Sequence, residues 1–243
     1  MKLFKKKKRE LDTNSMEKGV YLVTVAKPSS VNMEQFNTIR TNIEFSSVDK
    51  TFRSIVMTSA TASEGKSTVA ANMAVSFARQ GKRVLLVDAD LRRPTINATF
   101  AISNPTGLTN FLTEHKTSVN DIFYKTSVEG LYVLPSGPVP PNPSELIGSK
   151  RMEKLIYSLQ EAFDLVIYDA PPVLSVTDAQ ILATKVDGTI LTVRENVAEK
   201  EHVRRAVNLI EHVHGELIGT ILNDVNSDEA GYYGYYGKTA SEK

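Results

Sequence analysis

The sequence predicts an α/β chain built on a doubly wound, mostly parallel sheet. Three observations carry that expectation. Ser54 to Ser59, Val84 to Asp88 and Leu165 to Asp169 are continuous apolar runs rather than alternating ones, the pattern of strands covered on both faces. Helical periodicity separates the runs, as at Lys66 to Gln80, where Val69, Met73 and Phe77 recur on one face and Gly81 ends the pattern. The second and third runs close on carboxylates, Asp88 and Asp169. In such sheets ligands sit beyond the carboxyl ends of the strands.

The elements follow in order. Residues 1–19 read as a basic tail and linker, 20–223 as one folded domain, and 224–243 as a flexible tail. Val20 to Val25 is a short edge strand by its composition. A helix begins at Asn32, with Gln35 three residues on as a capping box. Its apolar stripe is Phe36, Ile39 and Ile43. Glu34, Asn37 and Arg40 fall on the other side of the wheel, a face that is either solvated or free for a partner.

After the first strand comes Ala60-Thr61-Ala62-Ser63-Glu64-Gly65-Lys66-Ser67-Thr68. Strand, Gly-Lys-Ser loop and helix together read as a phosphate-binding loop, although the usual first Gly is Ala60. Backbone N–H groups from Ser63 through Thr68 cradle phosphates at a helix N-terminus. Lys66 reaches the β- and γ-phosphates of ATP, and the Ser67 hydroxyl is a Mg²⁺ ligand. Asp88, Asp90 and Asp169, at neighbouring strand ends, supply what a Mg²⁺–nucleotide site needs, since Mg²⁺ takes one or two carboxylates plus phosphate oxygens.

Arg92 and Arg93 leave the second strand end, placed to neutralise developing charge or to hold a partner's carboxylate. Residues 96–130 read as irregular, with a short helix near Leu108 to Glu114. Leu131 to Leu134 is a strand. A proline-rich loop, Ser136 to Pro143, follows it and is either a wall of the cleft or a spacer. Ser144 to about Phe163 is one helix. Then come a helix at Asp178 to Thr184, a strand at Thr189 to Val193, an amphipathic helix at Glu199 to Val213 and a last strand at Leu217 to Leu222. There is no internal repeat.

Bulk properties narrow the function classes. A chain of 243 residues with 41% hydrophobic content can bury one good core. It has no Cys, which excludes disulfides and thiolate metal sites, and its four His show no zinc spacing. A net charge of +1 argues against nucleic acid as a partner. The charge is uneven: the first ten residues carry six basic groups and one acid, leaving −4 on the remainder. No apolar stretch makes a signal peptide or a membrane span. Leu3 and Phe4 with the lysines either rest on anionic lipid or form a solvated tail.

Past Asn223 the pattern stops. Tyr232, Tyr233, Tyr235 and Tyr236 lie within five residues, among Gly231, Gly234 and Gly237. If the last strand is parallel, nine residues tether this cluster to the ligand edge, a reach of roughly 30 Å. The cluster is a substrate for the site, a sticky aromatic tail or a stacking platform.

Four features together resemble the bacterial tyrosine kinases of capsule and exopolysaccharide systems, in the soluble form found in Firmicutes. These are the loop at Ala60–Thr68, VLLVDADLR at Val84–Arg92, LVIYDAPP at Leu165–Pro172 and the terminal tyrosines. The resemblance covers nearly the whole chain. It implies a P-loop NTPase fold of the partition and division-site ATPase type, with residues 20–223 as the kinase domain. It implies ATP and Mg²⁺ as cofactors, Lys66 on the transferring phosphate, and Ser67, Asp88 and Asp169 around the metal. Asp88 or Asp90 accepts the tyrosine proton, and the four tail tyrosines are autophosphorylation sites. Asn223 matches a position that contacts adenine in related ATPases.

The family's E-x-x-R-x-x-R helix, which builds a ring of subunits, reads Glu34 to Arg40 here, with Asn37 in place of the middle Arg. Ala170 stands where the family prefers a hydroxyl residue. The resemblance further implies a membrane-spanning activator of the chain-length-regulator type, protein-tyrosine substrates, a cognate phosphatase, and a cytoplasmic location at the inner face of the membrane. The competing reading is a partition or division-site switch ATPase. Those carry an extra Lys at the start of the loop, which Ala60–Glu64 lacks, and an amphipathic C-terminal helix where this chain has Tyr and Gly. A non-catalytic adaptor is a third class, and intact Lys66, Ser67, Asp88 and Asp169 argue against it.

Overall fold

A computed structural model describes residues 14–46, 51–103 and 105–225. Its centre is a sheet of seven strands: β1 (Ser54–Ser59), β2 (Val84–Asp88), β3 (Tyr124–Lys125), β4 (Leu131–Leu134), β5 (Leu165–Asp169), β6 (Gly188–Arg194) and β7 (Leu217–Asn223). The spatial order is β3-β4-β2-β5-β1-β6-β7. Every pairing is parallel except β3 with β4. The three apolar runs occupy the middle, where β1, β2 and β5 are buried along their whole length. Their register aligns the functional ends: Asp88 pairs with Asp169, and Met57, two residues before the end of β1, pairs with Asp169 as well.

Helices cover both faces, as a doubly wound sheet requires. They are α1 (Ser15–Lys18), α2 (Val23–Ala26), α3 (Val31–Phe45), α4 (Lys66–Ala78), α5 (Ile96–Thr99), α6 (Leu108–Thr113), α7 (Pro143–Gly148), α8 (Lys150–Ala162), α9 (Asp178–Ala183) and α10 (Lys200–His212), with a 3₁₀ turn at Val119–Asp121. On one face Met73 and Phe77 of α4 pack with Leu86, Ile167 and Ile43. On the other, Leu155 and Leu159 of α8 and Ile210 of α10 pack with Leu85, Val166 and Leu191. Helix α4 is buried from Val69 through Ala78, not on one stripe alone. Its many small residues leave room for α2 and α3 to lie over it.

Several boundaries differ from expectation for identifiable reasons. Val20 to Val25 forms no strand. Residues 23–26 are helical, and this segment's polar groups turn to α4 instead of a sheet edge. The Thr24 N–H and hydroxyl both donate to Asn72 Oδ1 at 3.0 and 2.8 Å, while Asn72 Nδ2 donates to Tyr21 O at 2.9 Å. Residues 15–18, expected as linker, form a helical turn. Helix α3 begins earlier than Asn32, because Ser30 caps it by accepting from Met33 N at 3.3 Å. The helix expected from Ser144 to Phe163 is two helices. Ser149 is extended between them, accepting from Met152 N at 3.1 Å and donating to Leu146 O at 2.7 Å. The stretch read as irregular holds α5, the 3₁₀ turn and β3. These elements of two to four residues fall below what periodicity can detect.

Candidate active site

The loop between β1 and α4 is shaped by its neighbours. Glu64 is fully buried, and its Oε1 accepts from Thr61 N at 2.6 Å and Thr61 Oγ1 at 2.7 Å, closing the loop on itself. Ser63 and Gly65 both adopt left-handed backbone, φ 66° and 90°. Gly65 caps α4 with no side-chain hydrogen bond, so the N–H groups of the first turn remain for an anion. A side chain at Gly65 would also strike the Asn223 amide. That amide donates to Glu64 O at 3.1 Å. Arg194 Nη1 donates to Ser63 O at 3.1 Å.

Charge gathers at the mouth of this loop. Lys66 Nζ lies 2.9 Å from Asp90 Oδ2, 3.2 Å from Asp169 Oδ1 and 3.2 Å from Ser67 Oγ. Its side chain is 12% exposed, against 4% for Asp90 and 1% for Asp169. Burial opposes the Lys66 charge, but Asp169, Asp90 and Asp88 outweigh it and hold the ammonium protonated well above its usual range. Asp88 Oδ2 accepts from Thr95 N and Ile96 N, each at 2.9 Å. Burial, with Asp169 beside it, pushes the Asp88 carboxyl up to about 8. Burial raises the Asp169 carboxyl too, against the pull of Lys66.

Asp88 Oδ1 and Asp169 Oδ2 are buried oxygens with no hydrogen-bond partner. Lone acceptors of this kind are costly unless something fills them. Two hard oxygens at paired strand ends, beside the Ser67 hydroxyl, fit a Mg²⁺ ion that completes its shell with phosphate. Among the described residues no group of three or more His, Cys, Asp or Glu is arranged to hold a metal by itself, and an ion shared with phosphate needs none.

The structure thus brings together Ser63, Glu64, Gly65, Lys66, Ser67, Thr68, Asp88, Asp90, Asp169 and Asn223 around one loop. Arg92 is not directed at the phosphates. Its Nε donates to Asp178 Oδ2 at 3.0 Å and its Nη2 to Ser144 Oγ at 3.0 Å, joining the end of β2 to α9 and α7. Arg93 remains exposed, its N–H donating to Asp90 Oδ1 at 3.0 Å. The proline-rich loop begins under α6, where Leu108 N and Thr109 N donate to Pro135 O and Ser136 O. The face of α3 expected to look outward is partly occupied at home. Arg40 Nη1 donates to Asn37 Oδ1 at 3.0 Å, Ser76 O at 3.0 Å and Ser76 Oγ at 3.1 Å. Glu34 stays exposed. Tyr232, Tyr233, Tyr235 and Tyr236 lie outside the described residues. The sequence reading missed Arg194. Its signal was available, since it ends a strand on the ligand edge, but that strand was expected to stop at Val193.

Known proteins share this chain's sequence and fold. Residues 52–222 match the family described as AAA domain. The tyrosine-protein kinase YwqD of Bacillus subtilis is 46% identical over 216 residues, 89% of this chain and 91% of that protein. The crystal structure of the chimerical protein CapA2B2 superposes with a TM-score of 0.81 at 39% identity, covering 84% of this chain and 89% of the other. The septum site-determining protein MinD of Pyrococcus horikoshii, with Mg-ADP, shares the fold alone, at 24% identity and a TM-score of 0.60 over 70% of this chain and 69% of the other. A P-loop site on a MinD-like sheet, matched along nearly its whole length by a tyrosine kinase, places the chain in the family of bacterial tyrosine-protein kinases.

Proposed function

We propose that the chain transfers the γ-phosphoryl group of ATP to tyrosine hydroxyls, first of all to Tyr232, Tyr233, Tyr235 and Tyr236 of its own C-terminus. The observation that carries this reading is the convergence at one loop mouth of buried Lys66, its partners Asp90 and Asp169, and the unpartnered oxygens of Asp88 and Asp169. The tyrosine oxygen forms a bond to the γ-phosphorus, and the bond from that phosphorus to the β–γ bridging oxygen breaks, its electron pair leaving with ADP. The phenolic proton passes to Asp88 or Asp90. A loose transition state asks little activation of the nucleophile, so a positioned carboxylate suffices.

Lys66 exchanges its carboxylate partners for phosphate oxygens and offsets the charge they gather. The N–H groups of Ser63 to Thr68 orient the phosphates, and Asn223 borders the base. Ser67, Asp88 and Asp169 would hold Mg²⁺, which would supply positive charge against the phosphates. Strand β7 is parallel to β6, so the chain leaves it at the ligand edge, within reach of this site or a neighbour's.

The same reading assigns the chain to capsule or exopolysaccharide synthesis at the inner face of the membrane. There it works with a membrane-spanning chain-length-regulator-type activator and a cognate phosphatase, as a ring of copies meeting through the α3 face that bears Glu34 and Arg40. Among the described residues no helix is long and apolar enough to cross a membrane.

The test is phosphotyrosine mapping by mass spectrometry after incubation with Mg²⁺–ATP and the activator's cytoplasmic segment, beside a Lys66→Met control. Phosphate on Tyr232 to Tyr236 in the unaltered chain alone supports the reading. ATP hydrolysis with no phosphotyrosine refutes it in favour of a switch ATPase.

A further inference from the structure

Arg194 closes β6, and its guanidinium faces two ways. Nη1 donates to Ser63 O at 3.1 Å, inside the phosphate loop. Nε and Nη2 both donate to Asp224 Oδ2, at 3.1 and 2.9 Å. Asp224 is the residue after β7, in left-handed backbone with φ 58°, and precedes the tyrosine segment in sequence. Asn223 repeats the arrangement beside it. Its amide donates to Glu64 O, and its own carbonyl accepts from Glu195 N at 2.9 Å. The ends of β6 and β7 therefore grip two successive carbonyls of the loop. The Arg194 side chain is 20% exposed and that of Asp224 31%.

In a trans peptide the N–H points opposite to the C=O of the same plane. Holding the Ser63 carbonyl outward turns the Glu64 N–H the other way, and holding the Glu64 carbonyl does the same for the Gly65 N–H. Arg194 and Asn223 thus aim loop donators that neither of them touches.

We propose that Arg194 is a positioning residue that ties the phosphate loop to the root of the C-terminal segment. Nucleotide affinity and presentation of the tail tyrosines then change together. The second half rests on the tail-substrate reading above; the first does not. Coupling of this kind is reciprocal for binding, so whatever draws Asp224 away from Arg194 also loosens the loop. A planar guanidinium can serve both acceptors at once, which a lysine ammonium does less well.

The experiment uses the full chain and four variants: Arg194→Ala, Asp224→Ala, Asp224→Glu and the double Arg194→Ala/Asp224→Ala. Fluorescent ADP with Mg²⁺ gives affinity, mass spectrometry gives tail phosphotyrosine with Mg²⁺–ATP, and a thermal melt checks folding. Arg194→Ala is expected to weaken ADP binding about three- to tenfold, and Asp224→Ala about two- to threefold. The double variant should bind no worse than Arg194→Ala, and Asp224→Glu should return close to the unaltered chain. Tail phosphorylation should follow the same order. Asp224→Ala binding ADP with unaltered affinity, or losses that simply add in the double variant, overturns the proposal. If the unaltered chain gains no tail phosphotyrosine, the tail-substrate reading falls, and the ADP titrations alone decide the role of Arg194.

Discussion

Removing Arg92 exposes how the rim of the site is held. Asp178 is fully buried, and its carboxylate is held by Arg92 Nε at 3.0 Å and by the Ser144 hydroxyl. Breaking a wholly buried pair from one side costs about 3–5 kcal/mol, because a charge is left behind without compensation. The Arg92 side chain is 38% exposed, so water can take part of its place, and the expected cost of Arg92→Ala falls to about 2 kcal/mol. In a chain of this size that lowers the melting temperature by about 4–8 °C. Asp178→Ala leaves Arg92 free to turn into solvent and should cost less. The double variant carries no unpaired buried charge and should be more stable than the sum of the two losses implies, by about 1 kcal/mol or more. Urea denaturation of the four proteins measures each quantity. Arg92→Ala within about 0.5 kcal/mol of the parent, or strict additivity in the double variant, refutes the reasoning.

Other substitutions test other parts of the argument. Lys66→Met should lower the rate of phosphoryl transfer about 10²–10³-fold or more, measured with a tyrosine peptide under saturating ATP. Gly65→Ala forces a side chain into left-handed backbone, at about 1–2 kcal/mol, and against Asn223. Fluorescent ADP titration should show affinity down at least about tenfold, since strain and collision both act on the loop itself. Asn72→Ala removes the acceptor for Thr24 and the donor to Tyr21 O and Thr68 O. It should cost about 2–4 kcal/mol, and hydrogen exchange should show residues 20–27 losing protection while the central strands keep theirs.

How much was legible in the sequence follows from length and burial. β1, β2 and β5 stood out because both their faces are covered, so apolar residues run through them without alternating. Lys66, Asp88 and Asp169 stood out because parallel strand ends are where such sheets bind ligands. What escaped was decided by contacts distant in sequence. Asn72 lies 48 residues from Thr24, and no local pattern announces that its amide replaces a sheet edge for that segment. Arg92 sits next to the carboxylates in sequence, yet it turns away because a buried acid 86 residues on claims it. Arg40 has the spacing of an outward-facing residue but reaches Ser76, a side chain small enough to leave its own carbonyl accessible.

The direct pairing of Asp88 with Asp169 across β2 and β5 has one further consequence. Carboxylates at facing positions repel one another when ionised, and both of these are buried. The register therefore builds frustration into this place, with Lys66 as a partial remedy. Whatever positive charge settles between those two oxygens releases that frustration and adds the gain to its own binding. Ligand affinity is thus partly stored in the strand alignment, before any ligand arrives.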